Sequence, residues 1–181
     1  MTASIRAAQQ EDLPVLVALM AEFYGEAGYP LPREAAASAF ATLLNDPRLG
    51  RVWLVQPEGV VVGYLVLTLA FSMEFGGLRG FIDDFFVRPA ARGRGYGAAA
   101  LAAVRQACVE LEIRSLLVET GGEGHAARRL YARAGFQENG RVFLAQPLAS
   151  PLQEVEGARL GTEALPGNRA EPVAAPDRPR D

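Results

Sequence analysis

Two adjacent carboxylates stand in an otherwise apolar stretch of the sequence, FIDDFFV (residues 81–87). If this stretch is a strand, side-chain alternation places Asp84 on one face with Ile82 and Phe86, and Asp83 on the opposite face. Burying two carboxylates without partners is costly, so we expect one of them to face a cleft, where it could accept a proton or bind a cation. The alternative is structural: one aspartate ends the buried part of the strand and the other pairs with an arginine.

A glycine- and arginine-rich segment follows, RGRGYGA (residues 92–98), ahead of a run of alanines. Glycines allow backbone N–H groups to turn towards an anion, because no Cβ stands in the way. A helix that begins here would add its free N–H groups and the positive end of its dipole. Arg92 and Arg94 would add forked donors suited to phosphate. The segment therefore predicts a phosphate-binding loop; the alternative is a glycine-rich connection with solvated arginines.

The same loop satisfies the dinucleotide-binding pattern G-x-G-x-x-A through Gly93, Gly95 and Ala98, with an acid, Glu119, after a later strand. In the dinucleotide fold the first glycine directly follows the strand, whereas five residues separate Val87 from Gly93 here. That pattern also belongs to a first βαβ unit, and about 80 residues with other patterns precede it in this chain. We therefore exclude a dinucleotide site of this type.

Apolar periodicity predicts a mixed α/β domain with the order β-αα-βββ-α-β-α-β around one sheet. The predicted strands are residues 4–9, 52–56, 60–73, 79–87, 113–119 and 142–148. The predicted helices lie within 11–28 and 31–46, after the glycine loop as far as Leu111, and within 125–135. We expect the domain to span residues 3–148. The proline-rich residues 150–181 contain no aromatic side chain, which predicts a flexible tail.

Composition removes several classes of function. All 18 basic residues are arginine, so a Walker A loop and Schiff-base chemistry, both of which need lysine, are excluded. A net charge of −3 argues against nucleic acid as a partner. One cysteine, Cys108, and one histidine, His125, make a metal site improbable. The chain shows neither an export signal nor an apolar run long enough to cross a membrane, so we expect a cytoplasmic protein.

Two motifs together resemble the GNAT superfamily of N-acetyltransferases. Arg92-x-x-Gly95-x-Gly97, which follows a strand ending in FFV and opens a helix, is similar to the acyl-CoA pyrophosphate motif of that family. LYARAGF (residues 130–136) is similar to a later family motif, and the helical pair and the hairpin occur in the family's order. The resemblance covers residues 3–148 and implies the GNAT-like acyl-CoA N-acyltransferase fold.

The resemblance implies acetyl-CoA as co-substrate and no metal. It implies that the main chain of the glycine loop binds the pyrophosphate and that the end of the preceding strand pairs with the pantetheine arm. In the family that arm lies where the strand before the loop and the strand after the helix splay apart. The cofactor-binding residues implied in this way are Phe86, Val87, Arg92, Gly93, Arg94, Gly95, Tyr96, Gly97 and Ala98.

The implied reaction is direct attack of a primary amine on the thioester, without a covalent enzyme intermediate. The attacking ammonium must lose a proton and the departing thiolate needs one. Related polyamine acetyltransferases carry a similar acid-acid-Phe-Phe-Val strand, which implies Asp83 as the base, acting through water, and Asp84 as a ligand of the acceptor. Tyr131 stands where the family commonly has a tyrosine that protonates the thiolate. The alternative for Tyr131 is a tyrosine that packs its helix on the sheet.

The acceptor implied by this strand is a cationic small molecule, with protein amines as the alternative. The chain departs from the family at Gly124, seven residues before Tyr131, where an asparagine often contacts the cofactor arm. Together with the tail, this departure leaves open a non-catalytic acyl-CoA-binding or partner-binding module. Residues 60–73 could supply the edge of a homodimer.

Overall fold

The computed structural model describes residues 5–120 and 125–140, together with Leu144 and Gln146. The strand predicted for 142–148 and the tail predicted for 150–181 lie outside the described residues. None of the described helices is long and apolar enough to cross a membrane.

Within the described residues, five strands form one sheet in which each strand neighbours the next along the chain. The first four are antiparallel, and the fifth runs parallel to the fourth after a helical crossover. This mixture agrees with the predicted α/β class. The strands are β1 (Ile5–Ala7), β2 (Gly50–Val55), β3 (Gly63–Ser72), β4 (Gly77–Val87) and β5 (Ser115–Val118).

Four helices cover the two faces of the sheet, each close to its predicted position. They are α1 (Leu13–Ala27), α2 (Arg33–Asn45), α3 (Tyr96–Glu110) and α4 (His125–Arg133). Pro32 directly precedes α2, and Gly28 ends α1 with a φ of 74°. That left-handed geometry is the common glycine stop signal of a helix.

Two apolar cores result, one on each face of the sheet. One lies against α1 and α2 and contains Leu16, Leu19, Phe40, Leu54 and Tyr64 among its buried members. The other lies against α3 and α4 and contains Leu65, Leu67, Ile82, Ala100 and Val104. Successive residues of β3 therefore alternate between the two cores. Coverage of both faces explains why this strand reads as a continuous apolar run rather than as an alternating one.

A β-bulge in β4 changes the face on which later residues lie. Val66 and Leu67 of β3 are partnered by Asp84 and Ile82, so Asp83 is the extra residue. Ile82 belongs to the α3/α4 core, whereas Phe86 belongs to the α1/α2 core. The predicted alternation, with Asp84 on the same face as both, is therefore wrong, because a bulge inserts one residue into the period of two.

Candidate functional site

Strands β4 and β5 separate immediately beside the bulge. Their last paired residues are Ile82 and Val118, and Asp83 is the next residue along β4. The remainder of β4, as far as Val87, has no partner on that side among the described residues. The splayed pair of strands that the family resemblance implied is thus present, with Asp83 at its apex.

A pocket of about 830 Å³ occupies this opening. It lies between the end of β4, the glycine loop, the first turn of α3 and one side of α4. Eight of the nine expected cofactor-binding residues line it, and so does Tyr131. Arg94, Asp83 and Asp84 do not line it. The lining residues that sequence reasoning missed are Phe23, Phe85, Ala91, Ala126, Ala127, Arg129, Leu130 and Arg133.

The glycine loop offers main-chain donors to this pocket. Gly93 and Gly95 have φ values of 76° and 84°, a region that glycine enters without strain. Gly95 precedes the first residue of α3 and no side chain caps the helix. The N–H groups of the first three helical residues, Tyr96, Gly97 and Ala98, therefore have no intrahelical acceptor and remain available to an anion.

Gly97 has a second role, which is packing. A Cβ at this position would lie 3.0 Å from Cδ2 of Leu130 and 3.7 Å from Cζ of Phe85. The absence of a side chain thus lets α4 and β4 approach the first turn of α3. This contact keeps both sides of the pocket close to the loop.

Arg92 is held by three contacts within the protein. Its Nε donates to the Val87 carbonyl at 2.7 Å, and its Nη2 donates to Glu26 on α1 at 2.6 Å. Its guanidinium carbon lies 5.6 Å from the centre of the Phe86 ring. The charge expected to serve a phosphate is therefore already compensated by Glu26. Arg94, the other arginine expected in this role, does not line the pocket.

The main chain at the end of β4 faces two directions. The Phe86 carbonyl is directed at β3, since a Cβ on Gly63 would lie 2.3 Å from its oxygen. The Arg88 N–H likewise donates to Val62 at 2.8 Å on the β3 side. The C=O and N–H groups of one peptide unit point in opposite directions. The Val87 N–H, which shares a unit with the Phe86 carbonyl, and the Val87 carbonyl, which shares one with the Arg88 N–H, therefore face the opening. Phe86 thus lines the pocket while its carbonyl remains within the sheet.

The two carboxylates lie in different surroundings. Asp84 Oδ2 accepts a hydrogen bond of 2.8 Å from the hydroxyl of Tyr64, which is completely buried. Burial raises the pKa of Asp84 to about 6; the Tyr64 hydrogen bond opposes this shift and the nearby Asp83 adds to it. Asp83 is exposed, and partial loss of hydration raises its pKa above the ordinary value.

Tyr24 on α1 completes the acidic side of the bulge. Its own burial raises its pKa, and the negative charges of Asp84 and Asp83 add to that shift, so its hydroxyl lies within the electrostatic field of both carboxylates. Sequence reasoning assigned no role to Tyr24 or Tyr64. No motif identifies them, since their proximity to the aspartates depends on the β3–β4 register and on the packing of α1.

Tyr131 lies on α4 with its side chain buried and facing the pocket. Its ring makes an edge contact with Phe136, with 5.4 Å between ring centres. Burial raises its pKa to about 12, so the phenol stays protonated at neutral pH. Tyr131 is therefore both a packing residue and a proton donor within reach of the pocket.

Two further sequence features can be placed. Gly124 lies outside the described residues, and His125 is the exposed first residue of α4. Within the described residues, no three His, Cys, Asp or Glu side chains come together in a way that could hold a metal ion.

Comparisons with known proteins point to one family. The family model described as the Acetyltransferase (GNAT) family matches residues 13–136. A protein from Bacillus subtilis (strain 168) described as the uncharacterized N-acetyltransferase YycN is 41% identical over 63 residues. That alignment covers 35% of this chain and 40% of the relative, so the match spans well under two thirds of that relative's length.

Solved structures show the same architecture. The integron cassette protein HFX_CASS3, from the mobile metagenome of Cole Harbour Salt Marsh, is 57% identical, with a TM-score of 0.75 over 82% of this chain and 92% of that chain. A protein from Clostridium acetobutylicum described as a predicted acetyltransferase with acetyl-CoA is 17% identical, with a TM-score of 0.68. That alignment covers 80% of this chain and 96% of the other, and at this identity the likeness concerns the fold alone.

Proposed function

Because the chain belongs to the GNAT family of acetyltransferases, we propose that it transfers an acetyl group from acetyl-CoA to the primary amine of a cationic small molecule. The observation that carries this proposal is the pocket between the unpaired end of β4, the glycine loop and α4, with the uncapped start of α3 at one side. Its volume of about 830 Å³ falls in the usual range of small-molecule sites.

The residues present fit a pyrophosphate. The N–H groups of Tyr96, Gly97 and Ala98 are free, and the helix dipole adds partial positive charge at the same point. A Cβ built at Gly93 or Gly95 would meet no atom within 4 Å, so the space beside these glycines is open. Acetyl-CoA, when bound, would supply an acetyl carbonyl activated as a thioester.

The main chain of Val87 suits the pantetheine arm. Its N–H and carbonyl both face the opening, and the carbonyl already accepts from Arg92. We therefore assign the Val87 N–H to the arm, and we assign Phe86 to the wall of the pocket only. The resemblance implied instead that the main chains of both Phe86 and Val87 pair with the pantetheine arm.

We assign proton removal from the acceptor amine to Asp83. It stands where β4 and β5 part, and its side chain is exposed. Its raised pKa makes it a stronger base than an ordinary aspartate. Since it does not line the pocket, the transfer runs through water.

Asp84 and Tyr24 form the acceptor side of this proposal. The Asp84 carboxylate, which the Tyr64 hydroxyl holds in place, and the aromatic ring of Tyr24 both favour a positively charged group. Tyr131 would protonate the departing thiolate from the α4 side of the pocket. Acceptor and cofactor would thus approach the bulge from the two faces of the sheet.

Calorimetry with acetyl-CoA, followed by a panel of amines, tests the proposal. We expect binding of acetyl-CoA, and release of free coenzyme A, detected with a thiol reagent, when a diamine or an aminoglycoside is added. Binding without turnover on any small amine or on peptide amines would instead support the non-catalytic module. If acetyl-CoA gives no heat of binding, the proposal fails as a whole.

We also propose a cytoplasmic location and a homodimer. The location rests on the single cysteine, Cys108, which leaves no intrachain disulfide to form.

The edge available for a dimer is narrower than the expected residues 60–73. Strand β2 already pairs with β3 as far as Thr68, so the part of β3 that is open on that side lies after Thr68. At the β3–β4 tip, Phe71 and Met73 are 65% and 88% exposed. A Met73→Ser variant should shift light-scattering mass from dimer to monomer; a wild-type monomer would refute the dimer.

A further inference from the structure

Three arginines line the pocket among the described residues, and they differ in what compensates their charge. Arg92 is paired with Glu26 at 2.6 Å and donates to the Val87 carbonyl. The side chains of Arg129 and Arg133, both on α4, make no ion pair or hydrogen bond with any described residue. The uncompensated positive charge on the pocket lining therefore comes from α4 and not from the glycine loop.

Arg129 and Arg133 lie one helical turn apart. Residues four apart share one face of a helix, and like charges at this spacing repel each other. Both side chains are exposed at the rim of the pocket, so an anion entering the pocket would meet both and relieve their repulsion. Arg128, on the same helix, shows the contrast: it pairs with Glu138 and does not line the pocket.

We propose that Arg129 and Arg133 bind a phosphate of coenzyme A, the role that the sequence suggested for Arg92 and Arg94. This inference rests on the proposed cofactor. The pyrophosphate has main-chain donors at the start of α3, and coenzyme A carries a further phosphate on its ribose. A guanidinium donates two parallel hydrogen bonds to a phosphate, which the exposed ends of these side chains leave free to form.

The test is calorimetric titration of the full-length chain with coenzyme A at low salt. We expect Arg129→Gln and Arg133→Gln each to weaken binding about tenfold, the loss of roughly one charge-assisted hydrogen bond. The matched control is Arg128→Gln, which removes the same charge from the same helix without touching the pocket. Its affinity should stay within twofold of the wild type. The difference should shrink at high salt because exposed charges are screened.

Dephospho-coenzyme A, which lacks the ribose phosphate, locates the contact. If the variants and the wild type bind it equally, the arginines hold the ribose phosphate; if the tenfold difference persists, they hold the pyrophosphate. Equal binding of coenzyme A by Arg129→Gln, Arg133→Gln and Arg128→Gln would overturn the inference while leaving the proposed function intact. Failure of the wild type to bind coenzyme A would instead refute the proposed function.

Discussion

The proposed cofactor side and the proposed acceptor side of the β4 opening are constructed from different parts of the chain. The cofactor side consists of glycines, free N–H groups of α3 and the main chain of Val87, all within a short segment. The acceptor side consists of side chains, Asp83, Asp84, Tyr64 and Tyr24, brought together from three elements. A site made of main chain is specified by a local motif. A site made of side chains depends on register and packing as well.

The proposed function predicts that variants of the two sides separate in kinetics. Changes on the acceptor side should lower turnover and leave cofactor affinity intact, whereas changes to the loop should do the reverse.

Asp83→Asn should have the largest effect. Removing the general base should lower kcat about 10²- to 10⁴-fold, and the dissociation constant of acetyl-CoA should stay within twofold, because Asp83 does not line the pocket. Steady-state kinetics with the best amine of the panel, together with calorimetry, measure both quantities. Asp46→Asn, at an exposed ion pair with Arg48, is the control. A turnover rate equal to that of the wild type would remove Asp83 from the mechanism.

Tyr131→Phe should lower kcat by about 10- to 100-fold, since it removes a proton donor and retains the ring. The edge contact with Phe136 survives in the variant, so its melting temperature should match that of the wild type. With the pKa of Tyr131 raised to about 12, the phenol contributes no titration to the rate below about pH 10. Unchanged turnover in Tyr131→Phe would reduce Tyr131 to a packing residue.

Gly95→Val should weaken acetyl-CoA binding about tenfold with little change in kcat at saturation. A β-branched residue at a φ of 84° carries about 1–3 kcal/mol of backbone strain and narrows the approach to the free N–H groups. Gly59→Val is a matched control, because Gly59 has a φ of 83° and open space around it, in a turn that does not line the pocket. Both variants should lose stability, but only Gly95→Val should lose affinity, as measured by calorimetry.

Asp84→Asn should raise the melting temperature by a few degrees at pH 7. Since the folded protein raises this carboxyl pKa from 3.8 to about 6, protonated Asp84 contributes stability that is fully present below about pH 4. That stability is lost as the pH rises through 6. Asparagine keeps an acceptor for Tyr64 and carries no charge, so about 1–2 kcal/mol should be recovered. Thermal melts of the wild type and Asp84→Asn at pH 4 and pH 7 check this prediction. If the increase in melting temperature is no larger at pH 7 than at pH 4, ionisation of Asp84 is not its cause.

Much of the fold could be predicted because it depends on local signals. Pro32 before α2, Gly28 after α1 and the apolar run of β3 mark their elements directly. The glycine loop was located for the same reason, since left-handed φ values at Gly93 and Gly95 are properties of a short segment. The final strand, predicted from residue 142, lies outside the described part of the chain.

The acceptor side could be predicted only in part. The two aspartates were evident as costly residues in an apolar strand. The prediction that Asp84 shares a face with both Ile82 and Phe86 was wrong for Ile82, because sequence alternation gives no sign of a bulge. Tyr64 reaches Asp84 through the β3–β4 register, and Tyr24 comes under the charge of both aspartates through the packing of α1, which no spacing encodes. The ion pair of Arg92 could not be predicted for a related reason: its partner Glu26 lies 66 residues away along the chain.

The bulge at Asp83 has a consequence for comparing or engineering such chains. Excising this one residue would leave β4 a regular strand in which Ile82 and Asp84 are neighbours and keep their present partners, Leu67 and Val66. Phe86 would stay on the α1 side, and its ring stack with Phe23, 5.5 Å between centres, would be retained. An alignment without a gap between this chain and a relative that lacks the bulge would instead equate residues from opposite layers of the sheet.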